Sequence, residues 1–142
     1  MASELRVDTL KDASGNNSIA TSFVAGGSAK AWVNFNGTGT IAARDSLNLS
    51  SLTDNAAGDY TVTFSSALGN TNYAPTGMQQ IGITSSDAAL TSVMIRTNTN
   101  AAGTATTMTT TANRIVTKYV SLSNLGENDS AVATYKVDGD LA

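Results

Sequence analysis

The sequence predicts an all-β protein, an antiparallel, jelly-roll-like β-sandwich of about eight to ten strands. Its polar residues are mostly Thr, Ser and Asn set among many Gly and Ala, whereas the helix formers Glu, Lys, Gln and Leu are scarce. Apolar residues alternate in short runs, and clusters of turn residues recur roughly every 8–12 positions. A chain of 142 residues suits one such domain and a short appendage.

Residues 1–28 are expected to form a short extended N-terminal arm, which anchors the protein or joins its copies. Alternation at Leu5, Val7 and Thr9 predicts a short strand, residues 12–17 carry a strong turn signal, and residues 26–28 resemble a hinge. A segment of this size cannot bury a core alone. We therefore take Leu5, Val7 and Leu10 as candidate interaction residues.

Residues 29–142 are predicted to form the sandwich domain. Val33 and Phe35 lie on one face of a strand and Trp32 on the other, and Tyr60 begins the clearest alternating run. The single proline, Pro75, ends a strand or lies on a sheet edge. Further strands are predicted at 40–43, 47–52, 78–83, 90–96, 105–111, 114–122 and 131–137, with turns at 36–39, 53–59, 98–103 and 126–129.

The residues available for chemistry argue against an enzyme. The chain has no His and no Cys, which removes Ser–His and Cys–His nucleophile pairs and His-ligated zinc. Asp54 and Asp59 flank a Gly-containing turn, and Asp138 and Asp140 flank a glycine; such residues usually bond nearby backbone. We expect no catalytic residue, no metal and no cofactor, and a hydrolase using paired Asp is the weakest alternative.

The charge and the hydropathy of the chain limit the classes of partner that it is expected to bind. Charged residues make up 13% of the chain, the formal net charge is −3, and no basic patch is present for nucleic acid. No apolar run is long enough to span a membrane, and the first residues lack the pattern of a signal peptide. A charge-poor surface rich in Thr, Ser and Ala favours an oligomer over a free monomer.

The aromatic residues have two interpretations. Phe35 and Phe64 are expected in the core or in a subunit interface. Trp32, Tyr60 and Tyr73 are candidate interaction residues because their polar atoms suit an interface or a wet rim, and an exposed ring can stack on a sugar.

Residues 30–73 contain a series of short motifs in a fixed order. They are Lys-Ala-Trp-Val-Asn-Phe at 30–35, Gly-Thr-Gly at 37–39, Arg-Asp-Ser at 44–46, Thr-Asp-Asn at 53–55, Gly-Asp-Tyr-Thr-Val-Thr-Phe at 58–64 and Asn-Tyr-Ala at 72–74. With these motifs the segment resembles a module found in tail-fibre and structural proteins of marine and other tailed phages, and residues 5–17 are similar to the N-terminal tag that often precedes it. The resemblance implies a β-sandwich-like module that often assembles as a trimer on the virion.

We therefore expect a non-enzymatic structural protein of a tailed phage virion. Almost no shaft precedes the module, which favours a small surface component such as a tail fibre or spike module or a capsid decoration protein. Its expected partners are its own copies, as a trimer, and a major capsid or tail protein, with no nucleic acid and no membrane. The alternative function is a carbohydrate-binding module that recognises glycans on the host surface.

Overall fold

A computed structural model describes residues 3, 5–80, 90–95, 108–120 and 125–139. Within these ranges the chain forms eleven strands and one short helix. They are β1 (Thr9–Lys11), β2 (Ser18–Ala20), α1 (Thr21–Gly27), β3 (Ala29–Asn36), β4 (Ala42–Leu47), β5 (Leu49–Ala56), β6 (Asp59–Phe64), β7 (Ala74–Gln80), β8 (Leu90–Ile95), β9 (Ala112–Val120), β10 (Leu125–Glu127) and β11 (Val132–Asp138).

Two antiparallel sheets pack against each other. The first has the order β4-β3-β11-β7, and the second has the order β10-β9-β6-β5 with β8 also paired to β9. A separate two-stranded sheet joins β1 and β2. The predicted all-β antiparallel sandwich is confirmed, and its nine strands within the described ranges agree with the predicted number.

Alternation in the central strands builds the core. Val33 and Phe35 on β3 face inward, as predicted, and meet the inward residues of β6. The rings of Phe35 and Tyr60 meet edge to face with centroids 5.1 Å apart, and Phe64 and Tyr73 make a similar contact at 6.5 Å. These ring contacts fix how the two sheets pack.

A polar cluster lies inside this apolar core. The side chain of Asn113 on β9 donates to the hydroxyl of Tyr135 on β11, so it links the two sheets. The Tyr73 hydroxyl lies 2.7 Å from both the Asn113 side-chain oxygen and the Thr109 carbonyl oxygen. Each buried group thereby has a partner, which removes the penalty for placing polar atoms in a core.

The predicted long turn at 53–59 is wrong. β5 continues to Ala56, and β6 begins at Asp59 after a turn at Ala57 and Gly58. The polar residues of this segment lie on an exposed edge strand, where the Asn55 side chain donates to the Thr61 hydroxyl at 2.9 Å. An exposed strand needs no apolar alternation, so its sequence is indistinguishable from that of a turn.

The other observed strand boundaries differ less from the predicted ones. The strand predicted at 40–43 runs from 42 to 47, and residues 126–127 of the predicted last turn belong to β10. Pro75 lies inside the edge strand β7, which confirms its edge position. The loop predicted at 98–103 and residues 81–83 lie outside the described residues. The strand predicted at 105–111 is wrong for its described residues 108–111, because the Thr109 hydroxyl bonds the Ala112 backbone in a bend before β9.

The N-terminal residues are not simply extended. The predicted turn at 12–17 joins β1 and β2, and the Asp12 carboxylate accepts bonds from Ser14, Asn16 and Asn17. These bonds, first of all that from Ser14, lower the pKa of Asp12. Residues 21–27 then form α1, which corrects the expectation of an extended segment and places two hinge glycines in a helix. The anchoring or assembly role of residues 1–28 stays a prediction.

Two glycines in turns allow a matched test of packing. Gly39 and Gly58 both have a positive φ, of 63° and 68°. A Cβ at Gly39 would meet nothing within 4 Å, whereas at Gly58 it would lie 2.6 Å from the Asn128 nitrogen. We expect Gly39→Ala to lower the free energy of unfolding by about 1–2 kcal/mol and Gly58→Ala by about 3 kcal/mol or more, measured by urea unfolding. Equal losses would contradict this packing.

Candidate functional site

Two predicted interaction residues, Tyr60 and Tyr73, lie in the core. Their side chains are 0% and 5% exposed, and both hydroxyls are bonded internally. Neither can contact a partner from this position, which corrects the expectation for these two residues. The alternating pattern identified the strand of Tyr60 but did not show which of its faces points inward.

Burial also determines the chemistry of the tyrosines. It raises the pKa of Tyr60, Tyr73 and Tyr135 above the ordinary value. At Tyr60 the bonded Asp129 carboxylate, 2.9 Å from the hydroxyl, raises the pKa further because it opposes a second negative charge. These groups therefore remain protonated in the folded chain well into the alkaline range.

Trp32, in contrast, is half-buried on the outer face of the first sheet. It lies opposite Leu47 on β4 and Lys136 on β11, and Lys136 in turn lies opposite Thr76 on β7. The residues beside this row enclose a shallow groove of about 500 Å³, which we call the Trp32 groove. Its outward-facing side chains are those of Trp32, Asn34, Thr76, Met78, Thr134 and Lys136.

The Trp32 groove combines apolar surface with hydroxyl groups and balanced charge. Met78 is 75% exposed on the strand at the far side, and the Thr134 hydroxyl lies between it and the tryptophan strand. Lys136 pairs with Asp138 at 2.7 Å, so this cation is neutralised. Strands two places apart are separated by about 9–10 Å, which is wide enough for one sugar ring. The groove suits an uncharged ligand that has both a flat apolar face and hydroxyls.

The N-terminal arm, here residues 5–27, carries most of the exposed apolar surface. Leu5 is 81% exposed and Phe23 is 73% exposed, and no residue of the arm is buried. Six of the eight large apolar residues that are exposed within the described ranges belong to the arm: Leu5, Val7, Leu10, Ile19, Phe23 and Val24. Three of these were predicted as interaction residues, and Ile19, Phe23 and Val24 were not.

Among the described aspartates weighed as acid pairs, Asp59 and Asp138 have structural partners, and Asp54 lies on the exposed strand β5. Asp59 is 2% exposed and accepts two bonds from Arg114, at 2.7 Å from Nε and 2.6 Å from Nη2. Asp138 pairs with Lys136, and Asp140 lies outside the described residues. Within the described ranges no three potential metal ligands come together, and no helix is long and apolar enough to cross a membrane.

Comparisons of the chain with models of known protein families, with curated proteins and with solved structures found no match.

Because of the buried tyrosines, we expect the stability of the fold to decrease at alkaline pH. The folded pKa values are raised, so the unfolded chain loses protons near pH 10 while the folded chain keeps them, and stability falls as the pH rises above about 10. We expect each tyrosine that stays protonated in the folded chain to contribute up to about 1.4 kcal/mol per pH unit to this loss, measured by urea unfolding. Tyr73→Phe should make this slope shallower, because it removes one of the groups whose pKa burial raises. Absorbance showing that more than one of the four tyrosines ionises near pH 10 in the folded chain would contradict the assignment.

Proposed function

We propose that this chain is a non-enzymatic structural protein of a tailed phage virion, a small oligomeric component of the particle surface. The observation that carries the proposal is the exposed apolar surface of the arm. Leu5 and Phe23 lie almost fully in water, and the arm has no core of its own. The resemblance of residues 30–73 to a tail-fibre module supports the same conclusion and favours a trimer.

The energetics of the arm favour a partner. An isolated two-stranded sheet is marginal in water, and α1 buries no residue. Full burial of one large apolar side chain stabilises a protein by about 1.5–3 kcal/mol, so burying several of them against other chains would order the arm. Other copies of this chain and a capsid or tail protein are the partners that we propose, with the sandwich facing outward.

Removing one apolar side chain from the arm should weaken assembly and leave the sandwich intact. We expect Phe23→Ser to raise the dissociation constant of the oligomer more than tenfold, as measured by sedimentation equilibrium. The unfolding free energy of the monomer should change by about 0.5 kcal/mol or less, since Phe23 is exposed. Met78→Ser is the matched control, because Met78 is equally exposed but lies on the sandwich.

A wild-type chain that stays monomeric at every concentration, together with its absence from purified particles, would overturn the proposal. An equal effect of Met78→Ser on assembly would place the interface on the sandwich and not on the arm. Density for the chain in a cryo-EM reconstruction of the particle would distinguish tail from capsid and give the copy number.

A second candidate function is recognition of host surface glycans by the Trp32 groove. The specific observation is that Trp32 remains partly exposed beside hydroxyl groups, whereas Tyr60 and Tyr73 are buried. Aromatic rings of this kind offer an apolar face with a polar edge. This function is compatible with the first, because a protein on the particle surface can also contact the host.

Trp32 is the single tryptophan of the chain, so its fluorescence reports directly on the groove. We expect neutral oligosaccharides that bind there to change the emission of the folded protein, and Trp32→Ala to lower their affinity about tenfold or more in calorimetric titrations. Leu68→Ala, in the core, should lower stability but leave affinity unchanged in the fraction that folds. Unchanged emission across a panel of neutral glycans would exclude this role for Trp32.

A further inference from the structure

A second pocket, of about 640 Å³, opens where the first sheet begins and the chain crosses to the second sheet. Two turns of the backbone and the start of β3 surround it. Its polar lining consists of one lysine, one asparagine and four serines, and we call it the serine pocket: Ser28, Lys30, Ser46, Asn48, Ser65 and Ser66.

A β-bulge places Lys30 in this pocket. On β11, Val137 pairs with Ala31 and the next residue, Asp138, pairs with Ala29, so Lys30 has no residue opposite it. An extra residue of this kind bends the strand and redirects its side chain. Although it is a lysine, Lys30 is only 9% exposed.

Among the described residues, no carboxylate neutralises the charge of Lys30. Its Nζ donates to the Ser28 hydroxyl at 2.6 Å, and none of the ion pairs among the described residues includes it. In contrast, Lys118 and Lys136 each pair with a carboxylate. An ammonium group has three donors, and burying one without a counter-ion is unfavourable, so an anion at this place would remove a penalty as well as make a bond.

The walls of the pocket are held in place by Asn48. This residue adopts a left-handed conformation, with φ of 56°, which asparagine tolerates better than most residues. Its side-chain nitrogen lies 3.1 Å from the carbonyl oxygens of both Lys30 and Ser66, and its oxygen accepts from the Ser66 nitrogen at 2.7 Å. The corner between β4 and β5 is therefore tied to the lysine strand and to the opposite wall before any ligand binds.

We propose that the serine pocket binds a small ligand that carries an oxyanion beside several hydroxyls, the chemistry of an acidic sugar. Lys30 supplies the charge for the oxyanion, and the serine hydroxyls can each donate and accept bonds with sugar hydroxyls. The volume fits a sugar ring and lies in the range of small-molecule sites. This inference goes beyond the proposed function, because it depends on the pocket alone and not on assembly or on a particle.

Calorimetric titration of the full chain with glucuronate and with glucose tests the charge requirement. We expect glucuronate to bind and glucose not to bind, and we expect Lys30→Met to raise the dissociation constant for glucuronate by about tenfold or more. Lys118→Met is the matched control, since Lys118 lies on the other sheet, outside both pockets, and should leave the affinity unchanged. Equal binding of glucose, or an undiminished affinity in Lys30→Met, would overturn the proposal.

A second test, NMR spectroscopy of the wild-type chain, does not require the Lys30→Met variant to fold. Glucuronate should shift the backbone amide signals of Ser46, Asn48 and Ser66, and the shift should weaken with added salt. Shifts confined to the Trp32 groove, or no shifts at all, would overturn the assignment of the ligand to the serine pocket.

Discussion

The contact of Tyr60 with Phe35 joins the two sheets and determines how their loops are arranged. The ring of Tyr60 on β6 meets that of Phe35 on β3 at 5.1 Å, and its hydroxyl reaches the Gly37 carbonyl oxygen and the Asp129 carboxylate. A side chain at Gly37 would overlap that hydroxyl, so only glycine lets the turn after β3 pass this close. One inward tyrosine thereby fixes a strand pair, a turn and the segment before β11.

The same carboxylate extends this arrangement to a second turn. Asp129 also accepts from the Gly58 nitrogen at 2.8 Å, so the β5–β6 hairpin and the Tyr60 hydroxyl share one acceptor. Beside it, Arg114 neutralises the buried Asp59. The end of the sandwich at Asn36 is therefore closed by paired polar groups. The opposite end of β3 begins at the bulge of Lys30, where a buried cation lacks a counter-ion within the described residues.

The sequence predicted correctly those strands that have one solvent-exposed face and one buried face. Val33, Phe35 and Val62 alternate with polar residues, and their inward positions follow from that period. The pattern could not predict the second half of β5, which is exposed on an edge, or the helix α1, which has no buried face. It could not predict the serine pocket either, because a bulge such as that at Lys30 breaks the period without changing the residue types.

The position of Ser28 connects the arm with the serine pocket. This residue directly follows α1, caps it by donating its backbone nitrogen to the Val24 carbonyl oxygen, and also accepts the bond from Lys30. A partner that reorients the arm would therefore move one of the pocket's polar groups. Since thermodynamic coupling is reciprocal, a ligand held by Lys30 would alter the affinity of the arm for its partner by the same factor by which assembly alters ligand binding. Ser28 therefore lies in the proposed ligand pocket and directly beside the proposed assembly surface of the arm.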